Sequence, residues 1–248
     1  MKIKKFNKGF TLLELVIAMA ISSLVLSGIY AVFHKQVATH NTERLVVSMQ
    51  QNVRAAVSFM ERDIRMARYD PTGSGLFTIA TANRAQLQFL SDTPVEDGIV
   101  NDGESIIYAL ADDNGVNCDV NGDGIADGTP CNLVRIVNDA AEPTGWRTDV
   151  VARNIDALNF DYFDTSVSPV NPLIDQTLTP WQVPAGQIVD IRSIQVSIVA
   201  RSGAAIPALF INHTDGKTYR NRLGDIILPP QNNDFRRMQI TTEIDCRN

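Results

Sequence analysis

The pattern of apolar and polar positions changes character twice along the chain. Residues 8–26 read KGFTLLELVIAMAISSLVL, and Leu15 to Phe33 form 19 consecutive positions without a charged side chain. At ~1.5 Å rise per residue, a helix of that length approaches the ~30 Å hydrocarbon thickness of a bilayer, so the run predicts a membrane-spanning helix. Glu14 stands near its start, although a carboxylate at the centre of such a helix costs roughly 2.5 kcal/mol or more. After Phe33 the apolar positions thin to a stripe. Leu45, Met49, Val53, Val57, Met60, Ile64 and Ala67 recur every three or four residues, and Glu43, Arg44, Arg54, Glu61, Arg62 and Arg65 lie mostly off it. That spacing predicts an amphipathic helix, uninterrupted by proline from Phe10 to Tyr69 and stopped by Asp70-Pro71-Thr72-Gly73. The stripe is too short for a long coiled coil.

Beyond Gly75 the period falls to two. Gln86–Leu90, Ser105–Leu110, Asn132–Val137 and Ile191–Ala200 suit strands, and Met238, Ile240, Thr242 and Ile244 alternate with polar residues near the end. Thr165–Gly186 and Gly203–Asn233 predict long loops, the second holding one short element that the pattern does not place. The fold class expected is α+β: a long N-terminal helix, with a transmembrane half and an amphipathic half, packed on a mainly antiparallel β-sheet domain. Its segments are a basic leader (1–9), a transmembrane helix (10–33), a stem helix (34–69) and a β-rich domain (70–248).

Charge adds direction to this outline. Lys2, Lys4, Lys5 and Lys8 are the only charges before Gly9, a positive-inside signal that puts the N-terminus in the cytoplasm and everything after Phe33 outside. The whole chain has Lys+Arg 22 against Asp+Glu 28, net −6, and without the four leader lysines the balance is 18 against 28, or −10. An acidic domain lacks the basic face that nucleic-acid binding requires. With 44% hydrophobic and 20% charged residues, the chain has enough apolar side chains for a real core. A secretory signal carries small residues after its apolar run. Here the small residue, Gly9, precedes it, so cleavage after Gly9 would keep the helix in the mature protein.

Lys8-Gly9-Phe10-Thr11-Leu12-Leu13-Glu14 resembles the prepilin signature of type IV pilins and type II secretion pseudopilins. The resemblance implies that a prepilin peptidase cuts the Gly9–Phe10 bond, that Phe10 becomes an N-methylated first residue, and that Glu14 faces the positive N-terminus of a neighbouring subunit during assembly. Pairing of Glu14 with the chain's own N-terminal amine is the local alternative. Val151–Tyr162, Arg192–Arg201 and Arg236–Asn248 look like segments of PilW-type minor pilins, a group similar to the J-type minor pseudopilins. The implied function is a minor pilin that primes type IV pilus assembly at or near the fibre tip. Its partners would be other minor pilins, the major pilin, the prepilin peptidase and the inner-membrane assembly platform. It would begin as a single-pass inner-membrane precursor and end in the fibre. The rival readings are a J-type pseudopilin of a type II secretion pseudopilus and a tip-exposed, calcium-dependent adhesive module.

The calcium reading comes from Cys118-Asp-Val-Asn-Gly-Asp-Gly-Ile-Ala-Asp-Gly-Thr-Pro-Cys131. From Asp119 the pattern D-x-N-x-D-G-x-x-D matches the first nine positions of an EF-hand-type loop. Asp119, Asn121 and Asp123 would give side-chain oxygens to Ca²⁺, Ile125 its carbonyl, and Asp127 a direct or water-bridged contact, with Gly124 at the sharp turn. Pro130 stands where a bidentate acid belongs, and Asp112, Asp113 or water would supply the missing oxygen. Asp97–Glu104 is also rich in acids and glycine, but its spacing matches no such pattern. Cys118 and Cys131 bracket a 12-residue loop suited to a disulfide in an oxidising compartment; Cys246 is then free, or else it partners one of them.

No enzyme is expected. His34 and His40 lie on the stem and only His213 falls in the β-rich part, and no nucleophile, phosphate-binding or zinc motif occurs.

Overall fold

The apolar run and the amphipathic stripe fold as one helix, α1 (Leu12–Arg65). The structure, a computed structural model, describes residues 9–93, 95–128, 131–167, 170–205 and 214–246. The chain divides into two units, Met1–Arg44 and Leu45–Asn248, and α1 contributes to both.

In the first unit every residue from Gly9 to Phe33 is exposed. The helix is long and apolar enough to cross a membrane. Two of the hydroxyls in this run need no water, because Ser23 and Ser27 donate to the carbonyls of Ala20 and Leu24 at 2.8 Å.

In the second unit the α1 stripe is buried. Met49, Val53, Ala56, Met60 and Ile64 enter the core, with Val57 packed beside them. Spacings of three and four keep these side chains on one face of a 3.6-residue helix. The stripe also carries an acid. Asp63 is buried, and its Oδ2 accepts from the Tyr108 hydroxyl at 2.8 Å and from Arg135 Nε at 2.7 Å. The helix stops at Arg65, short of the expected Tyr69. Met66 and Ala67 donate to Asp63 and Ile64, a tightened last turn, and Arg68 turns left-handed (φ 66°) so that its N–H reaches the Leu90 carbonyl. Capture of the chain by the end of a sheet strand therefore ends the helix before Pro71 can.

Five strands form an antiparallel meander in chain order: β1 (Ile79–Ala82), β2 (Leu87–Leu90), β3 (Ser105–Ala111), β4 (Asn132–Asn138) and β5 (Trp146–Arg153). Asn154, at φ 59°, turns the chain out of this sheet into β6 (Ile155–Asp164). A second antiparallel sheet has the order β11-β8-β6-β7, with β7 (Asn171–Pro172), β8 (Ser193–Arg201) and β11 (Arg237–Asp245). The register places Ile244, Ile194 and Tyr162 in one row and Thr242, Val196 and Phe160 in the next. One face of this sheet joins the meander and the distal part of α1 in a single core that includes Phe89, Leu133, Leu158, Phe160 and Ile198.

The other face is covered as well. The loop expected at 203–233 contains two short strands, β9 (Tyr219–Arg220) and β10 (Ile226–Leu228), which pair as a hairpin. Tyr219, Ile227 and Leu228 pack on Ala157 and Val199 in a second, smaller core. The Arg237 side chain, almost fully buried, ties the cover down through Asp156 (2.6 Å), Asp215 (3.0 Å) and Asn233 (2.7 Å). The α+β class and the antiparallel sheet agree with the expectation. The loop expected at 165–186 contains β7 and leads into a short 3-10 helix, Ala185–Asp190.

Candidate functional site

Two places carry the residues singled out in the sequence. At the start of α1, Thr11 and Glu14 cap the helix. Glu14 Oε2 accepts from the Thr11 N–H at 2.9 Å and from its hydroxyl at 3.1 Å, while the Glu14 N–H donates to Thr11 Oγ1 at 3.2 Å. This reciprocal pair is a capping box, and its Thr-x-x-Glu spacing is legible in the sequence although the resemblance drew attention to the glutamate alone. Within the single chain Glu14 therefore has a partner at its own helix start. Phe10, just ahead of the box, is 91% exposed. Residues 1–8 of the leader lie outside the described residues.

The second place is the loop closed by the Cys118–Cys131 disulfide. Its side chains turn inward onto its own backbone. Asp119 Oδ1 accepts from the N–H groups of Gly122 and Asp123 at 2.9 and 3.1 Å, and Oδ2 accepts from Gly124 at 2.9 Å. Asp123 Oδ1 takes the Ile125 N–H at 2.8 Å, Asn121 Oδ1 takes the Asp123 N–H at 3.0 Å, and Asp127 Oδ2 takes the Val120 N–H at 2.8 Å. Burial pushes the Asp119 carboxyl above its ordinary pKa, and the neighbouring Asp123 charge adds to this, while the three N–H bonds oppose it.

The loop is fastened to β6. Ile125 sits in a bridge opposite Ala157, Leu158 N–H donates to the Gly124 carbonyl at 2.8 Å, and Ala126 N–H donates to that of Asp156 at 2.9 Å. Gly124 has φ 81°, and a Cβ there would press into the Leu158 carbonyl oxygen, so only glycine fits.

Neither upstream acid faces the loop as a spare ligand. Asp112 Oδ1 closes its own turn by accepting from Asn114 and Val116. Asp113 Oδ1 pairs with Arg153 at 2.6 Å and accepts from Asn132. Pro130 lies outside the described residues, as does His213. Among the described residues no three Asp, Glu, His or Cys side chains gather into a group that could hold a metal ion. Within the single chain, Asp119, Asn121, Asp123 and Asp127, the side chains that the sequence pattern assigned to calcium, accept from backbone N–H groups of their own loop. Cys246 is free and half-buried, and burial pushes its thiol up to about 11, which keeps it protonated.

Residues 4–30 match the family described as the prokaryotic N-terminal methylation motif. None of the curated proteins matches the chain. Among solved structures, a type IV-like pilin from Thermus thermophilus is similar at 12% identity and a TM-score of 0.44, over 80% of this chain and 97% of that one.

Proposed function

We propose that this chain, type IV pilin-like in its methylation motif, is a minor pilin that primes pilus assembly at or near the fibre tip. The observation that carries the reading is the motif match over residues 4–30, in register with an exposed apolar helix that begins at Leu12. The prepilin peptidase would cut Gly9–Phe10 and leave Phe10 as the N-methylated first residue. The precursor would cross the inner membrane once, with its β-rich unit outside the cytoplasm, and would then join the major pilin and other minor pilins at the assembly platform.

The capping box gives Glu14 a resting partner before assembly. A carboxylate bound only by Thr11 can exchange that contact for a neighbour's positive N-terminus, the kind of partner that burial of an ionised group requires. Glu14→Ala is expected to be inserted and cleaved normally but to enter fibres poorly, as measured by comparing the processed pool with sheared filaments. Failed cleavage with normal incorporation would overturn the role. Deletion of the gene is expected to abolish piliation. Normal piliation with lost protein secretion would instead favour a type II pseudopilus.

A further inference from the structure

The outer face of the β11-β8-β6 sheet carries polar rows where a covered sheet face is ordinarily apolar. Glu243, Gln195 and Asp161 align in one row, and Thr241, Ser197 and Asn159 in the next. Asp161 is 1% exposed, Gln195 2%, Asn159 2% and Asn221, which arrives from the hairpin cover, 7%. Two carboxylates converge there on one amide nitrogen. Asn221 Nδ2 lies 3.0 Å from both Asp161 oxygens and 3.3 Å from Asp225 Oδ2. That nitrogen has two hydrogens to share among three carboxylate oxygens.

Neighbouring amides fill the third place but leave the two carboxylates side by side on Asn221. Asn159, with its amide turned so that its oxygen accepts from Arg84 Nε at 3.2 Å, donates to Asp161 Oδ2 at 3.0 Å. Gln176 donates to Asp225 at 3.2 Å. Gln195 Oε1 is buried without any donor. It belongs to the residue directly across the β6–β8 ladder from Asp161, a position where the Cβ atoms of such pairs lie ~4.5–5.5 Å apart. A proton on Asp161 removes one of two like charges that share the Asn221 amide.

We propose that Asp161 carries a proton in the folded protein on the acid side of neutrality and that this proton clamps the β9–β10 hairpin onto the sheet, so that the cover loosens as the pH rises through neutrality. The charged groups facing Asp161 are Asp225 on the hairpin and Arg84 on the β1–β2 turn. Farther along the row, Glu243 on β11 is paired with Arg222. Arg84 is partly committed elsewhere, since it stacks on Trp181 and donates to the Ile226 carbonyl. Ionised Asp161 on the sheet would repel Asp225 on the cover, and that force separates the two.

The electrostatics run the same way. Burial is the largest cause, the Asp225 charge adds to it, and together they push the Asp161 carboxyl up to about 7 against the opposing effects of the Asn221 hydrogen bond and Arg84. A folded value above the ordinary 3.8 means that the folded chain holds a proton which the unfolded chain has released. The contribution is whole at acid pH and is lost as the pH rises towards about 7.

Hydrogen exchange of the full chain in detergent micelles tests this, after correction for the intrinsic pH dependence of exchange. Protection of residues 214–228, relative to β8, is expected to fall at least tenfold between pH ~5.5 and ~8.5, and Asp161→Asn should abolish the difference. A ratio that does not change with pH, or a change that persists in Asp161→Asn, overturns the proposal. Should Asp161→Asn fail to fold, infrared spectroscopy of the wild type decides. A protonated-carboxyl band present at pH ~5.5 and lost by ~8.5 supports the clamp, and its absence at both refutes it.

Discussion

Asp119→Ala removes the acceptor of three backbone N–H groups at once, those of Gly122, Asp123 and Gly124. The Gly124 N–H is buried, so it loses its partner without gaining water, a cost of about 1–3 kcal/mol. The Gly122 N–H is part-buried and recovers some of its bonding from solvent, and the Asp123 N–H keeps Asn121 Oδ1 as an acceptor, so these two add at most roughly 0.5 kcal/mol each. Against this, the mutation relieves the burial of a carboxylate that lies beside Asp123. The net expectation is a loss of about 2 kcal/mol. The disulfide still closes the loop, so the damage should remain local to the loop and its bridge to β6. Urea unfolding of the full chain in micelles, followed by tryptophan fluorescence, measures the loss, with calcium and separately with chelator. Asp119→Asn should fall between, since it keeps one oxygen but turns a donor towards an N–H. A loss below about 0.5 kcal/mol in chelator would refute the turn-shaping role. A loss that appears only with calcium would show that the carboxylate serves a cation instead.

Other expectations follow from single contacts. Asp63→Ala strands Arg135 and the Tyr108 hydroxyl between α1 and the meander and should cost about 3–5 kcal/mol in the same assay, whereas Tyr108→Phe should cost about 1 kcal/mol. Gly124→Ala should cost more than Gly145→Ala in thermal unfolding. Both glycines have positive φ, but only the first would meet the Leu158 carbonyl, while the second has open space, so equal losses would contradict the close fit to β6.

The fold was most legible where one periodic signal acted alone. Met49, Val53, Met60 and Ile64 marked the buried face of α1, and the alternation in Ile194, Val196 and Ile198 marked β8 and its inner face. The short hairpin Tyr219–Leu228 was not legible, because two- and three-residue strands carry no period. Without it, Asn159 and Asp161 look like residues of a solvated face, yet the hairpin buries them. Asp63 escaped notice for a related reason, since its partners Tyr108 and Arg135 come from distant strands. In the candidate sites, the disulfide and the turn glycine followed from local spacing. What the loop's acids bind did not, because D-x-N-x-D-G suits both a cation loop and a self-bonded turn.

The central claim is that residues 1–9 are removed and that the exposed helix beginning at Leu12 enters a fibre with Phe10 as its modified first residue. Intact-mass and N-terminal peptide analysis of the protein from its native membrane tests it most directly. The expected result is a chain that begins at N-methylated Phe10, with Met1–Gly9 gone. An intact Met1, or an N-terminus beyond Phe33, would contradict it.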